Sequence, residues 1–191
     1  MNIVGLLLAA GSATRFGSDK LLHRLPHGVP IAVQAARHLH TVVPSIYAVV
    51  KPGADELTRA LAPHCHVIVC ENAAEGMGAS LACAVRAAGT ADGYLVALAD
   101  MPFVRTASIA AVRDALAAGA PLAAPYWRAK RGHPVGISGG FFDQLVALGG
   151  DEGAKSILQA NQERLLKVPV GDPGAIRDID TPGDLAPPLN V

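Results

Sequence analysis

Short apolar runs recur along the chain, and the stretches between them space their apolar residues at helical intervals. Ile3–Leu8 is apolar throughout, the mark of a strand covered on both faces. Ile31–Thr41 reads as a helix, with Val33, Ala36, Arg37 and His40 at helical spacing. Ile46–Val50 is a second strand, stopped by Pro52-Gly53, and Ala54–Leu61 a second helix. The alternation continues with strand His66–Cys70, helix Ser80–Ala88, the apolar strand Tyr94–Ala99, and helix Thr106–Ala118, whose Ile109, Val112 and Leu116 share one face. Strands Leu122–Trp127 and Pro134–Ser138 flank a basic turn; helices Phe141–Leu148 and Ala154–Ala160 follow, then strand Leu165–Val170 and a Pro- and Gly-rich tail.

Strands alternating with helices predict an α/β fold of three layers, Rossmann-like, with a mostly parallel sheet and helices on both faces. No repeat, low-complexity block or linker interrupts the pattern, so residues 1–191 are expected to form a single domain. In such sheets ligands bind beyond the carboxyl ends of the strands. The loops after Leu8 and after Ala99 both lie there and can share one cleft.

Composition narrows the choices. The chain is 51% hydrophobic and only 4% aromatic, so Ala, Val and Leu must fill the core. Sixteen cationic side chains balance 16 anionic ones, which argues against a general nucleic-acid or membrane-surface binder. Three cysteines without a C-x-x-C pair, and no basic n-region before the first apolar run, lead us to expect a cytoplasmic protein with reduced thiols. His64, Cys65, His66 and Cys70 resemble a zinc set only in composition: a strand over Val67–Val69 aligns His66 with Cys70 and leaves the others on a loop.

The chemistry concentrates in Leu8-Ala9-Ala10-Gly11-Ser12-Ala13-Thr14-Arg15-Phe16-Gly17-Ser18-Asp19-Lys20. A strand runs into a small-residue loop carrying Arg15 and Lys20. Small residues let backbone N–H groups approach an anion closely, and the two cations add full charge, so the loop suits a polyphosphate. The spacing fits neither the Walker loop nor the G-x-G-x-x-G fingerprint. Asp100 follows a buried strand and lies about a turn too early to cap the helix at Thr106. Mg²⁺ takes one or two carboxylates plus phosphates, which makes Asp100 a candidate metal ligand. Alternation puts Asp178 and Asp180 on one side of an extended segment, before Thr181 and Pro182, good helix-start residues. Gly76, Met77, Gly78 and Ser80 precede a helix, where Gly78 or Ser80 would cap it or the loop would wrap a nucleotide. Arg128, Lys130, Arg131 and His133 lie between two strands, and Asp151 and Gly153 open another helix, with Asp151 in N-cap position.

The opening segment resembles the L-A-A-G-x-x-x-R-x-G-x-x-K signature of nucleotidyltransferases, and nearly the whole chain, from Ile3 to about Leu185, looks like a MobA-like nucleotidyltransferase. The segments Gly76–Ser80, Gly132–Val135 and Asp151–Ala154 point to its molybdenum cofactor cytidylyltransferase branch. Ala99 departs from the family's G-D-x-P turn. The resemblance implies transfer of CMP from CTP to the terminal phosphate of a molybdopterin-type cofactor, with Mg²⁺ on Asp100 and on Asp180 or Asp178, and possible hand-on to a recipient molybdoenzyme or its chaperone. It implies that Leu8, Ala9, Ala10, Gly11, Arg15, Lys20, Gly76, Met77, Gly78, Ser80 and Asp100 hold the nucleotide, that Lys20, Arg15 and Asp100 act in catalysis, and that His133, Asp151 and Gly153 receive the acceptor. Guanylyl or sugar-phosphate transfer on the same scaffold, an oxidoreductase, and a non-catalytic delivery module are the rival readings.

Overall fold

The computed structural model describes residues 1–11 and 20–186, and all structural statements below concern these. Arg15 lies outside them. Eight strands form one sheet: β1 (Ile3–Leu8), β2 (Ile46–Val50), β3 (His66–Val69), β4 (Gly93–Leu98), β5 (Leu122–Trp127), β6 (Lys130–Arg131), β7 (Val135–Ser138) and β8 (Leu165–Pro169), in the order β3-β2-β1-β4-β7-β5-β6 with β8 on β5. The β3-β2-β1-β4 half is parallel, β7 runs antiparallel to both β4 and β5, and β8 runs parallel to β5. β1 and β4, paired from Ile3↔Gly93 to Leu8↔Leu98, lie at the centre and end together.

Strand alternation sends β1 side chains both ways. Leu7 joins a core with α1 (Ile31–Val42), α2 (Asp55–Leu61) and α4 (Thr106–Ala117). Val4 and Leu6 join the opposite core with α3 (Met77–Ala88), α5 (Phe142–Val146) and α6 (Lys155–Ala160). Helices therefore cover both faces, as the alternating pattern requires. Leu6 and Leu7 are wholly buried, so cutting either to alanine would cost about 2–5 kcal/mol.

Several boundaries differ from expectation. α1 buries Ile31, Ala32, Val33, Ala35, Ala36 and Leu39, so Val33 and Ala36 point inward as expected while Arg37 and His40 face solvent. α3 begins at Met77 rather than Ser80, so Gly76–Ser80 is a helix start and not a free loop. Phe141–Leu148 resolves into a 3-10 turn and the short α5, and the basic turn carries the two-residue strand β6. Asp151 does not cap α6: the N-cap position is Ala154 and no side chain bonds there.

Beyond β8, the chain is clamped by Asp172. Its buried carboxylate accepts the Arg105 backbone N–H at 2.9 Å, the Ser108 hydroxyl at 2.7 Å and the Gly174 N–H at 2.9 Å. This fixes the tail to the start of α4 and aims the next residues at the sheet's carboxyl edge.

Candidate active site

At that edge, β1 and β4 give out on Ala10-Gly11 and on Asp100. A cavity of about 490 Å³ opens there, lined by Leu8, Ala10, Gly11, Lys20, Asp100 and Asp180 on one side and by the start of α3 on the other. Asp178 and Asp180 arrive from the chain's far end. The Ile179 N–H donates to the Asp100 carbonyl at 2.9 Å, and the Ile179 side chain is wholly buried in the core of α1 and α4. With Ile179 turned inward, its two neighbours must turn outward. One carboxylate oxygen from each of Asp100, Asp178 and Asp180 then lies within 4.8 Å of the others. Past them, Asp184 accepts the Thr181 N–H at 2.9 Å and the Thr181 hydroxyl at 2.7 Å, closing a capping box that holds the segment's exit. Those hydrogen bonds hold the Asp184 carboxyl below the ordinary aspartate range.

Lys20 enters this cluster from a 3-10 turn, Lys20–Leu22. Its ammonium donates to Asp100 Oδ2 at 2.9 Å and to Asp180 Oδ1 at 3.4 Å, and the residue is only 9% exposed. Burial alone would lower the lysine pKa; the hydrogen bonds and charges of Asp100 and Asp180 outweigh it and raise the pKa above the usual value. The ammonium is therefore fully charged at neutral pH. Three carboxylates against one ammonium leave the cluster with an anionic excess, and oxygen donors of this kind suit Mg²⁺ or Mn²⁺.

The facing wall is Ala73, Ala74, Gly76, Met77 and Ser80. Gly76 stands at φ 127° and ψ −171°, a backbone region open to glycine alone. The turn it allows brings loop 149–153 against α3, with the Gly78 N–H donating to the Gly150 carbonyl at 2.7 Å. That loop presents Asp151 to the cavity. Ser80 spends its hydroxyl hydrogen on the Gly76 carbonyl at 3.2 Å, so toward a ligand it offers lone pairs.

Most residues expected at the site line this cavity: Leu8, Ala10, Gly11, Lys20, Gly76, Met77, Ser80, Asp100, Asp151 and Asp180. Ala9 does not, because strand alternation turns it into the opposite core. Gly78 and Gly153 support the wall from behind, Gly78 through its hydrogen bond and Gly153 by seating Met77. His133 lies elsewhere. It lines a small crevice beside His38, Leu98 and Met101, and its Nδ1 is enclosed with no hydrogen-bond partner. Burial drives its pKa down to about 4, so it is a neutral, packed histidine rather than a cationic lining of the cavity. Leu21, Ala73, Ala74 and Leu98 were absent from the expected set. Only the i, i+2 rule could have found Leu98, two residues before Asp100. Cys65, Cys70 and Cys83 are free thiols; Cys70 bonds Asn72, and His66 packs against Tyr47 with ring centroids 5.2 Å apart, so no zinc set assembles there.

Residues 5–165 match the MobA-like NTP transferase domain. The purine catabolism protein PucB of Bacillus subtilis (strain 168) is 29% identical over 193 residues, covering 94% of this chain and 92% of PucB. Rv0371c from Mycobacterium tuberculosis H37Rv has a TM-score of 0.84 at 24% identity, covering 96% of this chain and 94% of its own. Its manganese complex has a TM-score of 0.80 at 22% identity, covering 96% of both chains. A nucleotidyl transferase from Methanothermobacter, Mth528, has a TM-score of 0.80 at 23% identity, covering 96% of this chain and 94% of its own. Among the described residues no helix is long and apolar enough to cross a membrane.

Proposed function

Since the chain belongs to the MobA-like NTP transferase family and is a nucleotidyltransferase, we propose that residues 1–191 act as one domain that moves CMP from CTP onto the terminal phosphate of a molybdopterin-type cofactor. Pyrophosphate is the second product. The observation that carries this reading is the convergence of Lys20, Asp100 and Asp180 on one cavity beneath the small-residue end of β1.

An acceptor phosphate monoester is mostly dianionic at neutral pH, its second pKa being about 6, so it attacks without a general base. One of its oxygens bonds to the α-phosphorus of CTP, the bridge to the β-phosphate breaks, and the electron pair leaves on pyrophosphate. The protein's task is to align these groups and to offset charge. Lys20 supplies its ammonium to the α-phosphate. The backbone at Ala10 and Gly11 approaches the phosphates, and Arg15 takes the β- and γ-phosphates. Ala73, Ala74, Gly76, Met77 and Ser80 form the wall for sugar and base. Asp100 and Asp180 hold the divalent cation, with Asp178 in reach as a third carboxylate; three carboxylate oxygens within 4.8 Å fit a hard cation. When bound, Mg²⁺ neutralises the crowded phosphate oxygens. Manganese in the complex of Rv0371c supports the choice of a divalent ion here. Asp151, on the cavity lining, meets the acceptor, with Gly153 seating Met77 behind it; His133 lies outside the cavity, in the crevice beside His38. A recipient molybdoenzyme or its chaperone completes the sequence, to be sought first in purine catabolism, the process for which PucB is named.

The test is a screen of the four NTPs with Mg²⁺ and molybdopterin, following pyrophosphate and the dinucleotide. CTP is expected to give both products. Release with GTP alone would replace the cytidylyl reading by the guanylyl one, and no release with any NTP would refute transfer.

A further inference from the structure

Lys20 does more in this structure than wait for a phosphate. Its ammonium sits among the carboxylates that the preceding reading gives to the metal, 2.9 Å from Asp100 and 3.4 Å from Asp180. A small cation bound at the roughly 2.1 Å contact typical of Mg²⁺ to the Asp100 oxygen that Lys20 holds would lie no more than about 5 Å from that nitrogen and would draw on the same lone pairs. Two positive charges at that spacing repel, the more so because the ammonium end is largely shielded from solvent. The ammonium in its present place therefore competes with the ion for these carboxylates. The lysine side chain has several rotatable bonds, so its ammonium can shift while the backbone stays in its 3-10 turn. On the other side of the nitrogen lies the cavity, whose floor at Ala10 and Gly11 is the phosphate end of the proposed nucleotide site.

We propose that Lys20 is the resident counter-ion of the metal site: it occupies the aspartate cluster until a triphosphate draws it away, so that a divalent cation is bound tightly only together with the nucleotide. This rests on the assignment of Asp100 and Asp180 as metal ligands. It explains why three carboxylates can be kept this close: the one ammonium offsets part of their mutual repulsion. It also makes the site selective for the metal–nucleotide complex over the free ion, a coupling that requires no moving domain.

The decisive experiment uses Mn²⁺ alone, without nucleotide or acceptor, titrated into the full chain and followed by electron paramagnetic resonance. Lys20→Met is expected to bind Mn²⁺ at least tenfold more tightly than the unaltered protein, although it loses transfer activity. Arg177→Met removes a cation one residue from Asp178, where it reaches Asp184 at 3.9 Å and is not seated among the proposed ligands; it is expected to change Mn²⁺ affinity by less than threefold. Lys20→Gln keeps a hydrogen-bond donor without charge and repeats the measurement if Lys20→Met melts below the assay temperature. Equal or weaker Mn²⁺ binding in the Lys20 variants would overturn the proposal, and so would an Arg177→Met gain as large as theirs. The second arm is ¹⁵N NMR of the lysine ammonium groups in EDTA. The Lys20 signal, assigned by its loss in Lys20→Met, is expected to shift when metal-free CTP is added. A signal unmoved at saturating CTP would also overturn the proposal. A protein that binds no NTP would refute the function proposed above while leaving the Mn²⁺ comparison readable.

Discussion

Gly76 offers the sharpest test of how the cavity wall is built. An alanine there would meet two obstacles. Its φ of 127° is strained for any L residue, at a cost of about 1–3 kcal/mol. Its Cβ would also overlap the Asp151 carboxylate and stand 2.6 Å from the Gly150 backbone. Overlap with backbone adds about 1–3 kcal/mol, because a loop rather than a flexible side-chain tip must yield. Together these give roughly 2–6 kcal/mol, or a fall in Tm of roughly 4–24 °C for a chain of this size. Two neighbours separate the causes. Gly150 has φ 63° but open space where a Cβ would go, so Gly150→Ala carries strain alone, about 1 kcal/mol. Gly78 is helical and meets only the loop backbone, with a Cβ 2.8 Å from the Gly150 carbonyl oxygen, so Gly78→Ala carries overlap alone. Calorimetry should rank the losses Gly76→Ala, Gly78→Ala, Gly150→Ala, from largest to smallest. Because the loop is pushed off α3, KM for the NTP should rise about tenfold or more in the first two variants. A Gly76→Ala protein with unchanged Tm and unchanged KM would refute the account of this wall.

Other parts of the structure give further tests. Asp172→Ala leaves three donors in a buried site without their acceptor; it should cost about 3–5 kcal/mol and lower Tm by roughly 6–20 °C, and a shift under 2 °C by calorimetry would contradict the clamp. His133 has a folded pKa of about 4 against 6.5 for the free side chain, so below pH 6.5 the unfolded chain takes up a proton that the folded one refuses. Stability should therefore fall as the pH drops from about 6.5 to about 4 and level off below, the total being about 3 kcal/mol. Urea titrations of His133→Gln should show this acid loss reduced; an identical pH profile in the variant would remove His133 as its source. Asp100→Asn should lower kcat by about 10²-fold or more with little change in Tm, and EDTA should abolish pyrophosphate release until Mg²⁺ or Mn²⁺ is restored. Undiminished turnover in either case would exclude the acidic cluster from catalysis.

The layered fold was legible because burial on two faces leaves continuous apolar runs such as Ile3–Leu8, and because Pro52-Gly53 and similar turns break them cleanly. The ends of helices were less so. α3 starts at Met77 because Gly76 can take a conformation closed to other residues, and nothing in the local pattern distinguishes that glycine from Gly78. The aspartate pair was legible from Asp178-Ile179-Asp180, where an apolar residue between two carboxylates fixes which way each points. That Asp178 and Asp180 both meet Asp100 depends on the Ile179–Asp100 backbone hydrogen bond, a contact between distant parts of the chain that spacing cannot reveal. His133 shows the opposite failure. The resemblance of Gly132–Val135 gave it an acceptor role, yet it lies in a crevice outside the cavity, where burial keeps it neutral. Asp151 likewise read as a helix cap, but the glycines around it let the loop fold over α3 and turn the carboxylate toward the cavity.

A crystal structure with Mg²⁺ and α,β-methylene CTP tests the central claim most directly. The account predicts the triphosphate between Ala10-Gly11 and Gly76–Ser80, the Lys20 ammonium on the α-phosphate, and the ion on Asp100 and Asp180. A nucleotide bound in another crevice, with Lys20 still paired to the aspartates, would contradict it.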